Sequence, residues 1–66
     1  MAWEYLHDAK DGVLMRLDRK NGVYEGYNWK TKKWQPSKNA YAAACGFYEG
    51  FLHEVTAEDA AKIIKK

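Results

Sequence analysis

The stretch SKNAYAAACGFYEGFL, Ser37 to Leu52, is the one part of this chain with a clear helical period, and the rest is read around it. At about 100° per residue, Ala40, Ala44, Phe47 and Phe51 fall on one line, with Tyr41 and Tyr48 beside it. Glu49 and His53 point the other way. The stripe is small at one end and aromatic at the other, which predicts a long helix over 37–52 that lies close to a sheet and widens as it leaves. Ser37, directly after Pro36, suits the N-cap, because its hydroxyl can accept from a free first-turn amide.

Upstream of that helix the chain reads as strands. Trp3–His7 is the first, closed by turn composition over Asp8–Gly12. In Val13–Asp18, Val13, Met15 and Leu17 face one way and Arg16 and Asp18 the other, the pattern of a half-buried strand. Leu14 breaks the alternation, which puts it near an edge or under a loop. Asp18-Arg-Lys-Asn21-Gly22 supplies hairpin chemistry, since Asn-Gly accepts positive φ. The third strand, Val23–Trp29, has two mixed faces, Val23/Glu25/Tyr27/Trp29 and Tyr24/Gly26/Asn28, and its inward side stays open. Gly26 marks either a bulge or a close approach by the helix. Asn28–Trp34 is a further tight reversal with Thr31-Lys32 at its tip, and Pro36 ends the sheet half.

After the helix, Phe51–Val55 reads as a short edge strand. Thr56-Ala-Glu58-Asp59 then opens a last helix with a cap and first-turn acids. Ala57, Ala60, Ala61 and Ile64 line one of its faces, Ile63 flanks them, and Lys62, Lys65 and Lys66 take outer and terminal positions. The fold class predicted is α+β: an antiparallel three- to four-stranded β-meander packed against a long helix, plus a short C-terminal helix, in a single domain over 1–66. Gly22-Val-Tyr-Glu-Gly26 and Gly46-Phe-Tyr-Glu-Gly50 echo one another, but one falls on a strand and the other on a helix, so the match is read as chance.

Sixty-six residues stand near the lower limit for folding on one core without staples. Ten aromatics (two Phe, five Tyr, three Trp) therefore point to a core built from a few large rings. The single cysteine excludes an internal disulfide or thiolate cluster; Cys45 suits a reducing compartment and a role as a small buried hydrophobe. The first residues lack the basic start and apolar run of a secretion signal. The longest uncharged apolar run, Ala40–Tyr48, falls far short of the roughly twenty residues of a membrane span. The expectation is a cytoplasmic protein without membrane contact. Net charge is +2, and the surplus is local: residues 1–29 sum to −1, residues 30–38 to +4, and residues 39–66 to −1.

Catalysis has no signature here. A nucleophile needs a base held by a third group; Ser37 is explained by capping, and Cys45 has no histidine one helical turn away. His7 and His53 are the only histidines, and neither His-x3-His nor Cys-x2-Cys spacing occurs, so no metal is expected. Glu58-Asp59 belong to a helix start and Asp8-Asp11 to a turn. No Gly-rich phosphate loop and no small-molecule site is evident, and no cofactor is expected. The reading is of a protein that is not an enzyme.

Binding has more support. Tyr24, Tyr27, Trp29 and Trp34 crowd together with Lys30, Lys32 and Lys33. Ten rings exceed what a thin helix-on-sheet interior absorbs, and Tyr and Trp are favoured interface anchors. The sequence thus predicts a small interaction module that binds another protein, or itself, with the rings as anchors and the lysines as a rim. The alternative is single-stranded nucleic acid held on the same surface by stacking and phosphate contact. Arg16-Leu17-Asp18, Gly22, Glu25, Tyr27-Asn28, Thr31, Trp34, Pro36-Ser37 and Thr56-Ala-Glu-Asp-Ala60 together resemble a pattern found in short, uncharacterised bacterial and phage reading frames. That resemblance implies an accessory or phage-type protein and carries no activity onto any residue.

Overall fold

The structure is a computed structural model that describes residues 3–48 and 50–65. Five strands and two helices follow in the order β1 (Glu4–Asp8), β2 (Val13–Asp18), β3 (Val23–Asn28), β4 (Lys33–Pro36), α1 (Lys38–Ala44), β5 (His53–Val55) and α2 (Ala57–Lys65). They form one antiparallel sheet in the order β4-β3-β2-β1-β5. The first four strands are successive hairpins, and β5 returns after α1 to cover the far edge. The α+β class is as read from the sequence, with five strands in place of three or four.

The meander is a ten-residue repeat that the sequence reading missed. Asp8, Asp18 and Asn28 end β1, β2 and β3, and Val13, Val23 and Lys33 begin the strands that follow. Each Asp or Asn closes its turn with its own side chain, the Asx-turn device. Asp8 Oδ1 accepts from the amides of Lys10 (3.1 Å) and Asp11 (3.2 Å). Asp18 Oδ1 accepts from the Asn21 amide at 3.2 Å and Oδ2 from the Asn21 side chain at 2.8 Å. Asn28 Oδ1 accepts from Lys30 (2.9 Å) and Thr31 (3.2 Å). The last turn residue is left-handed in all three: Gly12 at φ +68, Gly22 at +66 and Lys32 at +59. By contrast, the Gly22–Gly26 and Gly46–Gly50 echo has no structural counterpart, since the first copy enters β3 and the second begins in the cap that ends α1.

The long helix is overturned. α1 has seven residues and stops at Ala44 because Cys45 and Gly46 form a C-terminal cap. Gly46 takes φ +83; its amide donates to the Ala43 carbonyl at 3.2 Å and the Phe47 amide to Ala42 at 2.8 Å. That pair of bonds is the Schellman arrangement, which satisfies the last carbonyls and turns the chain out of the helix. The helical stripe therefore holds only as far as the helix does. Ala40 is fully buried with Met15 and Leu17, and Ala43, Ala44, Tyr48 and Leu52 pack around them with Leu6, Val13 and Tyr24. Phe47 and Phe51, expected inside, are 79% and 72% exposed. Cys45, expected buried, is exposed as well. The positions proposed for Glu49 and Lys66 lie outside the described residues.

At the other end of α1, Ser37 caps as expected, accepting from the Ala40 amide at 3.3 Å. The helix start sits so near β3 that a Cβ on Gly26 would come within 3.0 Å of Ser37 Cβ. Of the two readings of Gly26, close approach is the one observed. α2 also forms as read: Thr56 Oγ1 accepts from the Asp59 amide at 3.0 Å, and Ala60 is buried. β2 is the central strand of the sheet, and Leu14, expected near an edge or under a loop, is only 1% exposed on it, so the edge reading does not hold.

Candidate interaction surface

Strand alternation sorts the nominated residues by face. Arg16 pairs with Glu25 across β2–β3, and Tyr27 with Trp34 across β3–β4, so these side chains share the face opposite Met15, Leu17 and α1. Tyr24 belongs to the α1 face, packed on the core with its ring 5.2 Å from that of Tyr41. The inward side of β3, left open by the sequence, is thus Tyr24/Gly26/Asn28. Of the four nominated rings, three stand together and Tyr24 does not.

Those three belong to a longer ladder. Tyr27 meets Trp29 and Trp34 edge-on at 4.8 and 5.3 Å between centroids, and Tyr5 of β1 meets Trp34 at 6.1 Å. Arg16 is clamped in the row: its guanidinium carbon lies 4.2 Å from the Trp3 ring and 4.5 Å from the Trp34 ring. Its Nη2 and Nε reach Glu25 Oε1 at 2.6 and 2.8 Å. A planar cation suits this slot because it can stack on two indoles while donating in its own plane. The sequence placed Arg16 on the outer face but gave no sign of the clamp, since Trp3, Arg16 and Trp34 are far apart along the chain.

Trp29 ends the ladder and departs from it. It is 42% exposed, and its indole Nε1–H donates to the Gly12 carbonyl at 2.8 Å. The bond spans a gap between two hairpins: β1–β2 pairing continues to Asp8–Val13, whereas β2–β3 pairing stops at Met15–Gly26. A cleft of about 490 Å³ opens there, with Leu14, Gly26, Tyr27, Trp29 and Ser37 in its walls. Lys30, Lys32 and Lys33 are exposed beside Trp29, and neither of the two ion pairs among the described residues involves them. Three exposed lysines thus stand next to one open ring and two half-buried ones.

The first turn, which lies at the same end of the strands and receives the Trp29 bond on Gly12, is knitted shut around Asp8, which has no exposed surface. Besides its turn amides it accepts from the Tyr48 hydroxyl and the Phe51 amide, both at 3.3 Å on Oδ2. Burial pushes its carboxyl up, but the amides of Asp11 and Phe51, the Tyr48 hydroxyl and the Lys10 amide together hold it below its ordinary value. The reciprocal effect appears on Tyr48, whose hydroxyl is raised by burial and by the Asp8 charge. Asp18 is likewise held low, mainly by the Asn21 side chain, against the cost of burial.

Among the described residues no three His, Cys, Asp or Glu side chains stand close enough to hold a metal ion, and no helix is long and apolar enough to cross a membrane. Comparison with protein-family models, characterised proteins and solved structures matches nothing to this chain. Its surface has to be read from its own residues.

Proposed function

We propose that this protein is a small non-enzymatic interaction module, an accessory or phage-type regulator, that binds another protein through the third turn and the rings beside it. Trp29, Tyr27 and Trp34 act as anchors and Lys30, Lys32 and Lys33 as the charged rim. The observation that carries this reading is the way the third ten-residue unit departs from its siblings. Where the first two turns end in Gly12 and Gly22, the third has Lys32 in the same left-handed backbone. Where the first two carry Ala9 and Arg19, it carries Trp29, and where Val13 and Val23 begin the next strand, it has Lys33. A lysine at positive φ is a local cost, and such costs gather at functional positions. An exposed tryptophan beside unpaired cations has the composition of an interface anchor and rim.

The test is quantitative capture on immobilised wild-type protein and on Trp29→Ser, with folding of both checked by circular dichroism. A protein retained by wild type, lost from Trp29→Ser and still held at high salt supports the reading. Short single-stranded oligonucleotides are the second arm. Binding to them that weakens steeply as salt is added replaces the protein reading with the nucleic-acid one, because phosphate contact releases counterions. Equal retention on both proteins removes the third turn from consideration.

A further inference from the structure

The two histidines, which sequence spacing keeps apart, face each other across the β1–β5 ladder. His7 pairs directly with His53, and strand alternation puts both side chains on one face. Their ring centroids are 5.8 Å apart with planes at 70°. His7 is half-buried and His53 exposed. Two imidazoles that share one tetrahedral ion at about 2.0–2.1 Å each have their ligating nitrogens roughly 3.3 Å apart. Ring nitrogens lie about 1.15 Å from the ring centre, so centroids 5.8 Å apart bring facing nitrogens to roughly that distance, and His53 is exposed at the sheet edge.

From this geometry we propose that His7 and His53 form a two-histidine site for a borderline divalent transition ion of the Zn²⁺ or Cu²⁺ class, water completing its shell. Neutral imidazole favours such ions over Mg²⁺ and Ca²⁺, which take oxygen ligands. Occupation has a structural consequence. β5 is a three-residue edge strand held by the pairs Tyr5–Val55, Leu6–Glu54 and His7–His53, and α2 follows it directly. An ion that bridges the last pair fastens the C-terminal unit to the sheet on the face that also carries Tyr5. Because it binds only where both histidines are aligned, it favours the folded state.

The experiment is a thermal melt of the full chain with 0.1 mM ZnCl2, with MgCl2 as control, on wild type and His53→Gln. Expected is a rise in Tm of roughly 5 °C for wild type with Zn²⁺ only, lost in His53→Gln. In parallel, the imidazole resonances of both histidines should shift together on Zn²⁺ titration, a readout that does not depend on the variant's own stability. No rise in wild type, a rise that persists in His53→Gln, or resonance changes confined to one histidine each overturns the proposal.

Discussion

At the end of β1, Asp8 is wholly enclosed and its second oxygen is committed to Tyr48 and Phe51, some forty residues on. At the same place in the third unit, Asn28 is half-buried, and its side-chain amide reaches only to Gln35, at 3.2 Å on the neighbouring strand. The two turns share a plan, an Asx cap and a left-handed fourth residue. They differ in what the spare half of the cap does. In the first turn it ties the connection after α1 onto the sheet; in the third it is released, and the turn carries a ring and cations instead. A repeated unit thus serves stability in its first copy and is open to specialise in its third, although both turns lie at the same end of the strands.

The sharpest way to break that contrast is to exchange the caps. Asp8→Asn keeps an acceptor for Lys10 and Asp11 but turns an amide NH2 toward the Phe51 N–H, donor against donor. We expect the largest loss of all from Asp8→Asn, a Tm fall on the order of 20 °C, against no more than about 2 °C for Asn28→Asp. Differential scanning calorimetry on the two variants decides it, and equal losses would dissolve the contrast. The same pair predicts a pH effect. The folded pKa of Asp8 lies below its unfolded one, so between the two values the unfolded chain takes up more protons. The stabilisation is complete above about pH 4 and is lost as pH falls through the folded value. The Tm gap between wild type and Asp8→Asn should therefore narrow on acidification below pH 4, whereas the gap for a neutral core variant such as Met15→Ala should not follow that titration.

Next in size is Arg16, which keeps the rings beside the third turn in order. Arg16→Met retains the stem but removes the cation from between Trp3 and Trp34 and leaves Glu25 without its partner. The expected cost is about 2 kcal/mol in urea unfolding, with little of it recovered by Arg16→Lys, since a point charge cannot stack on both indoles. Full recovery by lysine would mean that the Glu25 pair, not the stacking, holds the face together. Gly46→Ala acts beside the first turn, where Tyr48 and Phe51, just past the left-handed cap, reach Asp8. It should cost about 1 kcal/mol. In the Asp8→Asn background, where the tether is already broken, it should cost less than that.

Much of this architecture was legible because local chemistry and tertiary demand agree. β2 is read to its ends, and Ser37 and Thr56 cap as expected, since alternation and capping are local rules. The helix over 37–52 failed at a single residue: Ala40, Ala44, Phe47 and Phe51 keep a 3.6-residue period, but Gly46 has its own use as a cap, and periodicity does not register that a backbone turns. Phe47 and Phe51 went to the surface as a result. The candidate surface was half legible. Trp29 and the lysines were visible as local crowding, while the Trp3–Arg16–Trp34 clamp depends on strand register. The signal that was available and unused is the ten-residue spacing of Asp8, Asp18 and Asn28. It fixes three turns at once and marks Lys32 as a residue where glycine is the rule.

Lys32 gives the smallest effect and the one most directed at the third turn. A non-glycine residue in the left-handed region costs on the order of 1 kcal/mol, and glycine returns part of that through the greater freedom of its unfolded chain. Lys32→Gly, which gives the third turn the ending of the first two, should therefore stabilise the fold by about 0.5 kcal/mol and raise Tm by roughly 2–4 °C. If the lysine is retained for binding, the same change should weaken capture of the partner by a few-fold, mainly through a slower association rate, as expected for a rim charge. The two readouts are independent, one a melt and the other a binding curve. A variant that gains stability and binds as well as wild type would leave the third turn's departure from its siblings without a functional cause. One that gains stability and loses binding would show a local cost kept in place by the surface it serves.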